Sequence, residues 1–284
     1  MNYDCAFYIG TTHDVCQDYA LSGRGGVVIS DGCSGSNLSD MGSRVLSITA
    51  INKLSELSSL YDFDAKECVL LARPSTKILG LPDTCLDATL FMAKYSKKQI
   101  GAVSYGDGVI AIKKGDGIIT ICTEYTDSYP FYPNYLYDMN NRYDLWKTNH
   151  NQRKVSIASI NIDGEIKEVG EINEYFRITQ KDNTLIGISP ECTRVYIDCP
   201  NSNKIEWVAI MSDGVQSFYE TIETNTSRNN KPVPYLDILK ELLAFKNFKG
   251  SFVQRRINKF RKVCKKKNWH NADDVSLATI HIVD

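Results

Sequence analysis

The sequence predicts an α+β fold in a single domain spanning residues 1–284. Three observations carry that expectation. Apolar runs of strand length end at turn residues: Val27-Val28-Ile29-Ser30-Asp31-Gly32, Ile100 to Gly108 and Trp207 to Gly214 all stop at an Asp-Gly pair. Val275–Val283 reverses the order, with Asp273 and Asp274 just ahead of it. Such runs read as buried strands. The strands also come in groups instead of alternating strictly with helices, which argues against a doubly wound parallel sheet. Finally, there is no internal repeat and no low-complexity linker to divide the chain.

The elements follow in order. Residues 3–30 hold two candidate strands separated by a loop from Gly10 to Gln17. Residues 40–60 read as a helix capped by Asp40, with Val45, Ile48, Ile51 or Asn52, Leu54 and Leu57 forming its apolar stripe. A second helix is expected over 64–73, ending before Pro74. Strands follow at Ala88–Tyr95, Ile100–Ser104, Val109–Lys113 and Ile118–Cys122, with Gly115-Asp116-Gly117 as a hairpin signal. Residues 125–150 are rich in Tyr, Asn and Pro. They read as an ordered loop or flap, because aromatics are unusual in disordered segments. That segment faces a substrate or covers a sheet. Strands are expected at 155–162, 166–170 and 205–211, then helices at 234–247 and 251–267, then the last strand.

Charge is balanced, with 33 Lys+Arg against 34 Asp+Glu. The total therefore gives no support for a nucleic-acid or membrane-surface partner. The basic stretch from Arg255 to Lys267 reads as the solvated face of a helix. No apolar run approaches the roughly 20 residues needed to span a bilayer, and the opening residues show no secretion signal. Nine scattered cysteines form no C-x-x-C pair, which fits a reducing cytosol better than a disulfide framework. Cys68 to Arg73 falls one residue short of the C-x5-R spacing of a cysteine phosphatase. Cys16 and Cys33 read as packing residues.

A carboxylate at a strand end sits on a rigid support, and several together repel unless a proton or cation intervenes. Mg²⁺ and Mn²⁺ prefer such oxygen ligands. The candidates run in the order Gln17-Asp18, Asp31-Gly32-Cys33-Ser34-Gly35, Gly106-Asp107-Gly108, Ser212-Asp213-Gly214 and Asp273-Asp274-Val275-Ser276. That order resembles the metal-dependent protein phosphatase family, the type 2C serine/threonine phosphatases, in a bacterial-type branch with Gly-x-x-His ahead of Gln-Asp.

The resemblance implies two antiparallel sheets packed as a sandwich flanked by helices, in α-β-β-α layers. It also implies a centre for two Mn²⁺ or Mg²⁺ ions with a possible weaker third. By that resemblance Asp31 bridges both metals and the Gly32 carbonyl ligates one. Asp18 holds a metal through water, Asp213 and Asp273 bind the other metal, and Asp107 helps hold the third. Of the adjacent pair, Asp273 is favoured by register with the family, and Asp274 is an exposed or supporting group. The third motif reads Gly-Asp-Gly where the family has Gly-Asp-Ser. His13 stands where many members carry a phosphate-gripping Arg, so it is either a phosphate contact or a loop residue.

The implied activity is cytosolic hydrolysis of phosphoserine or phosphothreonine in proteins, opposed by a kinase. Two cations about 3.5–4 Å apart can hold a hydroxide and neutralise phosphoryl oxygens, so no enzyme nucleophile is needed. The alternative, of another class, is a non-catalytic phosphatase-like binding or regulatory module. The full set at Asp18, Asp31, Asp213 and Asp273 favours the enzyme.

Overall fold

The computed structural model describes residues 1–283 except 24, 97–98, 126–128, 138–140, 150–152, 162, 172–175, 179–183, 199–204 and 224–227. In chain order the elements are β1 (Asn2–Tyr8), β2 (Asp18–Gly23), β3 (Gly26–Asp31), α1 (Ser39–Glu56) and α2 (Ala65–Ile78). Next come β4 (Leu90–Ser96), β5 (Gln99–Tyr105), β6 (Gly108–Lys114), β7 (Gly117–Tyr125), α3 (Arg142–Asn149), β8 (Arg153–Asn161) and β9 (Ile166–Glu171). Then follow β10 (Phe176–Ile178), β11 (Thr184–Ile188), β12 (Cys192–Asp198), β13 (Ile205–Ser212), β14 (Phe218–Glu223) and β15 (Arg228–Pro232). The chain closes with α4 (Tyr235–Leu242), α5 (Phe252–Lys267), β16 (Trp269–Asn271) and β17 (Val275–His281).

Two seven-stranded antiparallel sheets form the centre, ordered β1-β17-β13-β6-β7-β8-β9 and β10-β11-β12-β5-β4-β3-β2. A small sheet, β15-β14-β16, stands beside them. Alternation along each strand builds three apolar layers. Val27 and Ile29 of β3, Phe91 of β4, Ile110 of β6, Ile210 of β13 and Ile280 of β17 meet between the sheets. Val28, Leu90 and Met92 face the other way, toward α1 and α2. Val109, Ala209, Met211 and Leu277 face α4 and α5. Sheets buried on both faces need continuous apolar strands, which is the run pattern of the sequence. The result is the α-β-β-α sandwich that the resemblance implied.

Local differences have physical reasons. The second of the two strands expected in residues 3–30 is a hairpin, β2–β3, closing at Gly26 with φ +146°. Asp40 lies in the first turn of α1, while the cap position is Leu38 in the left-handed conformation. The buried face of α1 is Gly42, Ser43, Leu46, Ser47, Ala50 and Leu54, and Ile48 is exposed. Small residues let this helix approach closely: a Cβ on Gly42 would meet the Cys85 carbonyl oxygen at 1.7 Å. α2 runs through Pro74. Leu70, whose carbonyl loses its helical donor there, is on the exposed side. Polar strands β14 and β15 offer no apolar run and escape a pattern reading.

Candidate metal centre

Strand register brings the carboxylates to one end of the sandwich. In the β2–β3 pair, Asp18 stands directly opposite Asp31. β13 pairs with β6 so that Ser212 meets Gly108, which puts Asp213 beside Asp107 in sequence terms at the same sheet end. β1 ends at Tyr8 opposite Val275, so Gly10 reaches the Asp273-Asp274 corner. The chains touch closely there. A Cβ on Gly214 would meet the Asp274 carbonyl oxygen at 1.6 Å, so only glycine follows Asp213 in this geometry.

A cavity of about 430 Å³ opens at this end, and Asp31, Gly32, Asp107, Asp213, Asp273 and His13 all line it. Asp18 lies fully buried next to it. Asp18 Oδ2 accepts a hydrogen bond from the Ser212 hydroxyl at 2.7 Å, and the Ser276 N–H, 2.9 Å from that hydroxyl oxygen, orients it. Asp18 Oδ1 and Asp213 Oδ1 are buried with no hydrogen-bond partner among the described residues.

Burial dominates the electrostatics. It pushes Asp18 up to about 8, with the charges of Asp274, Asp213 and Asp273 adding to it and the Ser212 hydrogen bond opposing. Burial and the charges of Asp18, Asp213 and Asp273 hold Asp31 well above the usual carboxylate range. Asp213 rises to about 6, through burial and then Asp273. Burial followed by the Asp213 charge raises Asp107, and burial raises Asp273. A protein interior pays a free-energy penalty for such a cluster unless a cation neutralises it. Several carboxylate oxygens, two of them buried and unpartnered, make a hard donor set that suits Mn²⁺ or Mg²⁺.

The two adjacent aspartates separate cleanly. Asp274 is buried, and its oxygens accept hydrogen bonds from the Gly10 N–H at 2.7 Å and the Gln17 N–H at 2.5 Å. Asp273 is partly exposed and faces the cavity. His13 lies between them, Nδ1 3.1 Å from Asp274 and Nε2 3.6 Å from Asp273. Its ring thus lies among carboxylates at one edge of the cavity, and these three side chains bring their donor atoms within 4.8 Å of one another.

The described part of the Tyr-rich segment both covers a sheet and forms a rim. Pro130 and Tyr132 line the cavity, while Phe131, Tyr135 and Trp146 pack into the layer under α1 and α2. Residues 126–128, 138–140 and 150 of that segment lie outside the described residues. The segment is moored by Asp87, which accepts from Asn134 at 2.8 Å and pairs with Arg142 at 2.7 Å. Glu124 and Gln216, which form a hydrogen bond, also line the cavity. Pattern reading missed them. Glu124 lies two residues past the expected end of its strand, and only the true length of β7 reveals it.

A two-sheet sandwich with carboxylates gathered at strand ends presents a hard oxygen donor set of the kind that holds divalent cations. Among solved structures, the chain is similar in fold to a bacterial serine phosphatase, at 12% identity and TM-score 0.54, covering 100% of this chain and 98% of the other. It is similar to the serine/threonine phosphatase Stp1 of Staphylococcus aureus, at 12% identity, TM-score 0.54 and coverage of 100% and 96%. PppA of Pseudomonas aeruginosa matches at 14% identity and TM-score 0.52, with 99% of each chain covered. A comparison with curated protein sequences returned no match. The family model for protein phosphatase 2C matches residues 11–260, and the chain belongs to that family. It is a metal-dependent protein serine/threonine phosphatase with Mn²⁺ or Mg²⁺ as cofactor, and phosphoproteins are its substrate class.

Proposed function

We propose that residues 1–284 act as one catalytic domain whose cavity hydrolyses phosphoserine and phosphothreonine with two divalent cations. The observation that carries this reading is the pair of buried, unpartnered oxygens on Asp18 and Asp213 within a five-aspartate cluster. Asp31, the Gly32 carbonyl, Asp213 and Asp273 would hold the two cations, with Asp18 supporting them from behind. Asp107 would hold a weaker third cation. When bound, such a pair supplies a lowered water pKa and neutralises the phosphoryl oxygens.

The chain's own residues do the rest. Ser212 holds the Asp18 carboxylate in one orientation. Gly10 and Gln17 fix Asp274, which fixes the corner carrying Asp273. His13 spans that corner and steadies it, or grips the substrate phosphate from the cavity edge. Pro130 and Tyr132 narrow the entrance and keep bulk water from the reacting phosphate.

Among the described residues no helix is long and apolar enough to cross a membrane. A cytosolic setting and an opposing serine/threonine kinase complete the proposal. The free, scattered cysteines support the first. Hydrolysis of a generic aryl phosphate with Mn²⁺, beside a chelated control, tests the reading. Turnover that requires Mn²⁺ is expected, and turnover indifferent to chelation overturns it. The absence of any turnover favours the non-catalytic module.

A further inference from the structure

A second cavity, of about 410 Å³, lies where the C-terminal half of α5 meets the end of β1 and β16. Its cationic wall is Arg261, Lys262 and Lys265, with His270 beside them. The chain carries 34 acidic residues against 33 Lys+Arg, yet none of the residues lining this cavity is acidic. Among the described residues no carboxylate pairs with Arg261, Lys262 or Lys265, whereas neighbouring Lys267 pairs with Glu241 at 2.9 Å. Lysines in the last turn offset the negative end of the α5 dipole, and that accounts for Lys265 to Lys267. It does not account for Arg261 and Lys262, which lie before that turn.

A further observation comes from β1. Tyr8 also lines the cavity, and the Arg261 guanidinium lies 5.4 Å from the centre of its ring, which holds that cation at the cavity wall. Cations fixed in place without a carboxylate partner suit an anion that supplies acceptor oxygens.

Position relates this cavity to the metal centre. Its lining residues Thr11 and Asn271 are joined by a hydrogen bond from the Thr11 N–H to the Asn271 carbonyl at 3.0 Å. Each stands two residues from a member of the first cavity: Thr11 from His13, and Asn271 from Asp273. An extended peptide spans at most ~3.3–3.6 Å per residue, so a few residues of substrate bridge such neighbouring sites.

We propose that this cavity is an anion subsite that takes an acidic or second phosphorylated side chain flanking the phosphoresidue of the substrate protein. The proposal rests on the phosphatase reading and names a substrate preference within it. The test uses the full chain with Mn²⁺ and phosphopeptides sharing one phosphothreonine. One peptide has neutral flanks, one has acidic residues on both sides and one carries a second phosphate; an aryl phosphate serves as control.

The acid-flanked and doubly phosphorylated peptides are expected to exceed the neutral one by about tenfold in kcat/KM at low salt, with the advantage shrinking as salt rises. The double variant Arg261→Ala/Lys265→Ala should erase that advantage through KM, with neutral-peptide and aryl phosphate rates unchanged. Equal kcat/KM for all peptides in the wild type, or an advantage that survives the double variant, overturns the proposal. So does an oligonucleotide that competes for the cavity better than the acidic peptide. Failure of the wild type on the aryl phosphate itself marks instead the failure of the phosphatase reading, and the subsite proposal falls with it.

Discussion

Asp87 and Asp18 are both buried carboxylates, and the chain treats them in opposite ways. Asp87 is fully answered: Ser36 Oγ at 3.2 Å, Asn134 Nδ2 at 2.8 Å and Arg142 Nη1 at 2.7 Å all point at it. Asp18 has one donor, Ser212, and an oxygen with none. Asp274 resembles Asp87, and Asp213 resembles Asp18. The difference separates two jobs for one residue type. A carboxylate supplied with protein donors holds structure, and a carboxylate starved of them in a crowded acidic volume waits for a cation.

The sharpest way to break this comparison is Asp31→Asn. The substitution removes charge from the middle of the cluster, and the loss of Mn²⁺-dependent turnover should exceed the ~10–100-fold typical of changes one shell further out. Circular dichroism should remain native. Near wild-type turnover in saturating Mn²⁺ would contradict the proposed role.

Stability of the metal-free chain should move in opposite directions at the two kinds of site. Asp87→Ala removes a buried acceptor from Ser36, Asn134 and Arg142 and should cost about 2–3 kcal/mol. Asp213→Asn relieves repulsion and should raise the melting temperature in chelator. Thermal melts of both variants check the pair, and a fall in both would erase the distinction.

pH sharpens it further. Asp213 and Asp18 are raised to about 6 and about 8 by burial and neighbouring charge. Groups with raised carboxylate pKa values contribute stability that is complete below ~3.9, the unfolded value, and is lost as pH rises through the folded values. The metal-free chain should therefore melt at lower temperature at pH 8.5 than at pH 6. The stabilisation added by Mn²⁺ should grow over the same interval, because the deprotonated cluster is the form that binds. Scanning fluorimetry with and without chelator measures both slopes.

The smallest effect is expected at His13. Its contacts with Asp273 and Asp274 predict that His13→Ala raises the Mn²⁺ concentration for half-maximal activity by ~10–100-fold. At saturating Mn²⁺ the KM for a phosphopeptide should then be little changed. A KM that rises at saturating metal would restore the phosphate-gripping role that the sequence position suggests.

Legibility in the sequence followed burial. Strands sandwiched on both faces, such as β3, β6, β13 and β17, must be apolar throughout, so their runs and the Asp-Gly or Asp-Asp pairs beside them announce them. Helix α1 was legible from its apolar stripe, but it packs through Gly42, Ser43, Ser47 and Ala50, and such small residues do not mark the face that is buried. The order of the aspartates was legible. Their division into satisfied and starved groups was not, because the donors to Asp87 and Asp274 come from residues 36, 134 and 142 and from residues 10 and 17. Neither could the basic stretch of α5 reveal its cavity, whose other walls, Tyr8 and Trp269, lie on strands β1 and β16.

Mn²⁺ stoichiometry tests the central claim most directly. Calorimetric titration of the metal-free chain should find two ions bound per chain, with a third only at higher concentration, and Asp31→Asn should lose the pair. A wild-type chain that binds no Mn²⁺, or an Asp31→Asn chain that binds it as the wild type does, would contradict the assignment of the starved carboxylates to a metal centre.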